Sequence, residues 1–180
     1  MDKGISSRPP QAATPPRPAP VPGVREPVAR EPAGTRLRLS GDLERAALLA
    51  VADLRAMPQR TVEAGFACGR LGEQRHVYTG PLLLDVLLAA GPRFDPVIGK
   101  DRVRFLIAVT GRDGHTAVMS WGEIDPRYGG AAALLAARVD GRDMDSDGPQ
   151  LVVPGDAAGG RYVSRIASIW TGPATAAGAG

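Results

Sequence analysis

Apolar and polar residues alternate with a period of two in short runs along most of the chain, and only one stretch repeats clearly with the period of a helix. Leu37-Arg38-Leu39-Ser40 alternates as a strand and is closed by a turn at Gly41-Asp42. Ala46 to Ala50 reads as another strand. Ala52 to Met57 predicts about one and a half turns of helix, stopped by Pro58. Thr61 to Cys68 and Arg75 to Thr79 read as two strands joined by the loop Gly69-Arg70-Leu71-Gly72.

The helical stretch begins with Pro81 at a first helical position. It continues through Leu83, Leu84, Leu87 and Leu88, which face one side, and stops at Gly91-Pro92. Arg102 to Thr110 and His115 to Ser120 predict a hairpin around Gly111-Arg112-Asp113-Gly114. Ala132 to Val139 fits helix by composition and strand by its length and the following Asp140-Gly141 turn; its C-terminal half is read as strand. Leu151 to Gly155 and Arg165 to Trp170 complete the set. No internal repeat interrupts this order, so the pattern predicts an α+β domain with a mostly β core and a few short helices.

Composition changes the picture at the ends. Nine of the 17 prolines fall in residues 1–36, where apolar side chains are too sparse to offset the entropy of ordering the backbone, so a disordered Pro/Arg-rich leader is expected there. Residues 172–180 read as a flexible tail, which leaves 37–171 as the domain. Aromatic residues make up only 4% of the chain, so the core must be built mainly from Leu, Val, Ile and Ala.

The formal charge of +3 suggests an anionic partner until the charges are located. The leader holds six basic against three acidic groups, and the rest of the chain holds sixteen of each, so a broad basic face for nucleic acid is not expected. Any anion site must be a local cluster. No run of 18 apolar residues predicts a membrane span, and the N-terminus lacks the apolar stretch of a secretory signal. The single cysteine excludes an internal disulfide framework and suits a reducing compartment, which makes the cytoplasm the expected address.

With two histidines, that cysteine also excludes a zinc site built only from Cys and His ligands. Taken alone, Cys68 reads as a buried small hydrophobe. At a strand end beside Gly69 and Arg70, however, its thiol can be accessible in an electropositive setting that favours the thiolate, a soft ligand for a high-valent transition metal. Arg70 and Arg75 lie near it in sequence, and Arg161 and Arg165 could join them from the far end of the fold as an anion site. His76 reads as a surface strand histidine and His115 as exposed after its turn. Asp140, Asp143, Asp145 and Asp147 alternate as in a calcium loop but lack the closing glutamate, and read as a solvated acidic turn. Trp121 and Trp170 are expected in core or rim packing.

In order, LRLSGDLE, ADLRAMPQRTVEAGFACG, YTGPLLLDVLLAAGP and ALLAARVDGRDMDSDGPQLVVPGDAAGGRYVSRI resemble successive blocks of the molybdopterin-binding domain of the sulfite oxidase family, over roughly residues 37–170. The closing VVPG followed by an Arg-aromatic-Val triplet is the most specific part. The resemblance implies a sulfite-oxidase-like fold, a molybdenum cofactor (molybdopterin) and oxygen-atom transfer on a small-molecule substrate, with electrons exchanged with a separate carrier. It places Cys68 on the metal and Tyr162 beside it as catalytic residues. Gly69, Arg70, Arg75, His76, Arg161 and Ser164 would join Cys68 around the cofactor. Ser164 stands where the family often carries a lysine, and the proline-rich leader stands where full-length members carry a cofactor-binding segment. A second expectation follows from these departures: a cofactor-free member of the fold, acting as a binding module or as an enzyme on an organic small molecule.

Overall fold

Leu37 and Leu39 are buried while Arg38 between them is exposed, so strand β1 (Leu37–Gly41) presents one face to the core, as its alternation predicts. The structure is a computed structural model that describes residues 35–68 and 72–174; the side chains of 66–74 are outside that description. Residues 1–34 of the expected leader (1–36), the tip of the expected loop at 69–71 and residues 175–180 of the expected tail (172–180) lie outside the described residues, while Gly172 and Pro173 belong to the last strand.

β1 and the short β2 (Ala47–Leu49) form an antiparallel pair, and α1 (Val51–Ala56) follows, burying Val51 and Leu54. The Asp53 carboxylate accepts the Ala50 backbone N–H at 2.8 Å, which satisfies a donor at the start of α1. β3 (Arg60–Cys68) and β4 (Gly72–Gly80) form a nine-residue antiparallel hairpin, longer at both arms than the alternation alone suggested.

Helix α2 (Leu83–Ala90) buries Leu83, Val86, Leu87 and Ala90, while Leu84 is half-buried and Leu88 is exposed. Pro81 lies before the cap residue Leu82 rather than at the first helical position. Its carbonyl accepts from the Leu135 N–H at 2.9 Å, and that bond, with the antiparallel bridge of Leu82 to Leu134, holds residues 81 and 82 extended. Gly91 closes the helix in the left-handed region at φ 71°.

The expected strand from Arg102 is corrected at its start. Asp101–Arg104 is a single 3₁₀ turn, and β5 begins at Phe105 (Phe105–Gly111). The buried Asp101 carboxylate accepts the Asp95 N–H at 2.7 Å, folding the preceding loop back on itself. β6 (Thr116–Ser120) pairs antiparallel with β5 around the turn at 111–114, as expected. A helical turn that the periodicity did not reveal, α3 (Trp121–Ile124), follows directly; Glu123 caps it by accepting the Ser120 N–H at 2.8 Å.

Ala132 to Val139 resolves as strand in its C-terminal half, in β7 (Leu134–Ala136) and β8 (Arg138–Val139). β9 (Arg142–Asp143), β10 (Gln150–Val152) and β11 (Ile166–Pro173) complete the chain. The main sheet has the order β2-β1-β11-β5-β6, with β11 parallel to β1 and antiparallel to β5. β3-β4-β8-β9 form a second sheet, and β10 pairs with β7. The architecture is therefore mostly β with few short helices. No helix among the described residues is long and apolar enough to cross a membrane.

The larger core packs Leu37, Leu39, Leu54, Leu87, Ile107 and Trp121 between the main sheet and the helices. Each such side chain contributes on the order of 1.5–3 kcal/mol by leaving water. A smaller core joins the β3–β4 hairpin to the C-terminal block through Ala64, Tyr78, Leu134, Ala136, Val152 and Tyr162. Of the site residues singled out by the sequence, Tyr162 belongs to this second core.

Candidate functional site

Cys68 is the last residue of β3 and pairs with Gly72 across the hairpin. Gly69 and Arg70 lie outside the described residues. In the register, Cys68↔Gly72 and Ala64↔His76 belong to one set of facing positions and Gly65↔Arg75 to the other. Position 75 is thus on the opposite set from position 68. Arg75 is exposed and pairs with Glu63 at 3.2 Å.

His76 lies on β4, and the β8–β9 turn brings Asp140 to it. Asp140 adopts φ 49° there and is followed by Gly141 at φ 77°, a turn conformation that Asp and Gly tolerate well. The turn aims the Asp140 carboxylate back at β4: Oδ1 accepts the Val77 N–H at 2.9 Å, and Oδ2 lies 2.7 Å from His76 Nδ1. The Val77 N–H and then His76 hold the Asp140 carboxyl below its ordinary value. The His76 ring meets Tyr78 edge-on at 5.9 Å, and Tyr78 lies 6.4 Å from Tyr162. Burial pushes both phenols above their ordinary pKa. His76, Tyr78 and Tyr162 thus form one cluster, with Tyr162 packed into a core.

Arg161 ends a 3₁₀ turn (Gly159–Arg161), and its guanidinium is held between two carboxylates. Nε and Nη2 donate to Asp156 at 2.9 and 2.5 Å, and Nη1 donates to Glu123 at 2.7 Å. Asp156, then Glu123, holds the guanidinium in its charged form more firmly than in water. His115 Nε2 lies 3.0 Å from the Gly160 carbonyl oxygen and fastens the same segment to the β5–β6 turn. Ser164 and Arg165 are exposed, and Arg165 has φ 53°. Arg75 and Arg161, both expected in an anion site, each face carboxylates of the chain.

The acidic turn is occupied by cations of the chain itself. Asp143 pairs with Arg138 at 2.6 Å and Asp145 with Arg55 at 2.5 Å, while Asp147 lies 3.9 Å from Arg142. No group of three or more metal-capable side chains occurs among the described residues.

Sequence reasoning missed Asp125, whose side chain is only 5% exposed. It accepts from Trp121 Nε1 at 3.0 Å and from Arg127 Nε and Nη2 at 3.1 and 2.8 Å, and Arg102 Nη1 lies 3.7 Å away. Hydrogen bonds from Arg127 hold its carboxyl far below the usual carboxylate range. The i, i+4 spacing of Trp121 and Asp125 was the available signal. Three clefts open elsewhere on the surface. One of about 350 Å³ lies among Phe94, Asp101, Arg102 and Tyr128, one of about 360 Å³ lies between β1–β2 and α2, and one of about 250 Å³ lies beside β2. None of the three is lined by Arg75, His76, Arg161 or Tyr162.

With the fold laid out, comparison with solved structures gives a match to the crystal structure of the sulfane dehydrogenase SoxCD from Paracoccus pantotrophus. The TM-score is 0.60 at 20% sequence identity, over 76% of this chain and 38% of that chain. The chain therefore spans well under half of the enzyme chain it matches, and at this identity the likeness is one of fold. No protein-family model and no curated protein matches the sequence.

Proposed function

We propose that this protein is a molybdenum-oxidoreductase-like domain that keeps the sulfite-oxidase-like scaffold and works as a small-molecule binding domain without the cofactor. The fold shared with a sulfane dehydrogenase supports the scaffold half of the reading. The double ion pair of Arg161 carries the other half.

Molybdopterin brings a phosphate, and the described residues do not fit it. A phosphate at Arg161 would stand beside Asp156 and Glu123, and each like-charge contact at about 4 Å costs on the order of 1–4 kcal/mol near a protein surface. Releasing Arg161 from those carboxylates instead would break three charge-assisted hydrogen bonds. Tyr162 is committed to the second core.

A second reading rests on the place of Cys68 at the end of β3, from which a thiolate could reach a metal. In that reading Cys68 ligates molybdenum, Gly69 and Arg70 complete the cofactor contact, and the group supplies oxygen-atom transfer with a separate electron carrier. The single thiol suits the reducing cytoplasm in either reading. Analysis of protein purified from a host that makes the cofactor separates them. Molybdenum and pterin far below one per chain are expected, and values near one per chain would overturn the first reading.

A further inference from the structure

The cleft between β1–β2 and α2 differs in kind from the other large one. Leu39, Val86 and Ala90 are buried at its base, and half-buried Leu49 and Met57 extend the apolar wall. Its space comes from small residues: Ala46, just before β2, and Ala47, at its start, line the cleft with Ala89 and Ala90 of the last turn of α2, where larger side chains would fill the gap. The volume of about 360 Å³ lies in the range of small-molecule sites, which are mostly apolar with a few polar groups that fix orientation.

Arg45 is the one charged residue lining this cleft. Its backbone N–H donates to the Ala90 carbonyl at 3.0 Å and its guanidinium donates to the Ala89 carbonyl, so the side chain is stationed at the end of α2. Those bonds also satisfy helix-end carbonyls beside the cleft. The neighbouring Glu44 does not line the cleft; a Cβ at Gly91 would touch its carboxyl group. A guanidinium fork beside an apolar pocket selects for negative charge at one end of the ligand and hydrocarbon at the other.

We propose that the pocket between β1–β2 and α2 binds a small aliphatic monocarboxylic acid, with its chain among Leu39, Leu49, Val86 and the alanines and its carboxylate on Arg45. This deepens the binding-domain reading by naming a ligand class, and the two fail separately: molybdenum in the purified protein would remove that reading and leave this one standing.

The test is calorimetric titration of the full chain with octanoate, with octylamine as the charge-reversed control. Octanoate should saturate at one per chain and octylamine should not bind. Arg45→Gln should weaken octanoate binding at least tenfold. Ala89→Leu, at an exposed helical position on the cleft wall, should abolish binding while the near-ultraviolet circular dichroism of the fold is retained. The proposal is overturned if the wild type shows no saturable octanoate binding, if octylamine binds equally well, or if neither variant changes the affinity. It is also overturned if this face instead proves to be a self-association surface, seen as a dimer that Ala89→Leu dissociates and octanoate does not affect.

Discussion

Glu123 and Arg161 lie 38 residues apart and meet at 2.7 Å, so that one glutamate serves two elements at once. Its Oε1 caps α3 at Ser120, and its Oε2 holds the guanidinium that ends the C-terminal loop. With Asp156 on the other side of Arg161, the loop before the Arg-aromatic-Val triplet is tied down by charges of the chain itself. A residue expected to anchor an external anion therefore has an internal structural role.

That role is measurable as coupling. The Asp156 side chain is 17% exposed and accepts two bonds, whereas Glu123 is 44% exposed and accepts one from Arg161. A double-mutant cycle of Arg161→Ala with Asp156→Asn should give about 1 kcal/mol of coupling in urea unfolding, and the cycle with Glu123→Gln should give less. Both couplings should shrink with added salt. Equal, salt-independent values would contradict the assignment.

Asp125 should dominate acid sensitivity. Its folded pKa is depressed below the unfolded value, so its contribution is present above about pH 4 and is lost as pH falls toward the depressed value. Unfolding measured between about pH 5 and 2 should therefore lose more stability in the wild type than in Asp125→Asn. Asp125→Ala should cost about 2–4 kcal/mol near neutral pH, since it strands the buried Trp121 indole N–H and releases Arg127.

The tyrosines give the opposite sign at high pH. Tyr78 and Tyr162 have raised folded pKa values, so they favour the folded state below about pH 10 and that contribution fades as pH rises through their folded values. A spectrophotometric titration should show the phenolate signal of Tyr78 and Tyr162 appearing later in the folded protein than in urea. Assignment by Tyr162→Phe should remove one late-titrating group.

Two glycines are required by backbone approach. A Cβ at Gly41, where φ is 111°, would lie 1.9 Å from the Thr171 carbonyl oxygen, and one at Gly80 would lie 2.1 Å from that of Leu135. Gly41→Ala and Gly80→Ala should each cost about 3 kcal/mol or more, because β1 must approach β11 and β4 must approach β7. Gly160→Ala, in open space, should change stability by less than about 0.5 kcal/mol. Thermal unfolding of the three variants checks the ranking.

What the chain announced and what it withheld divide along sequence distance. The β5–β6 hairpin, the helix over 83–90 and the strand at 37–40 are local patterns, and the turn residues and alternation that define them are contiguous. The parallel pairing of β1 with β11 and the insertion of β11 at the centre of the main sheet join the two ends of the domain, and no local period encodes them. The same holds for the site. Arg161 was conspicuous as a basic residue in a glycine-rich loop, but its charge partner Glu123 lies 38 residues away, where no local pattern marks the pairing. Asp125 has partners close by in Trp121 and Arg127, but the short helical turn that brings them together leaves no periodicity to read, and the alternation that places Arg75 away from Cys68 needed the hairpin register.

Native mass spectrometry of the intact protein, freshly isolated from bacteria that assemble the molybdenum cofactor, addresses the central claim most directly. A single species at the mass of the polypeptide is predicted. A second species heavier by one metal-loaded pterin, disappearing in Cys68→Ser, would contradict it.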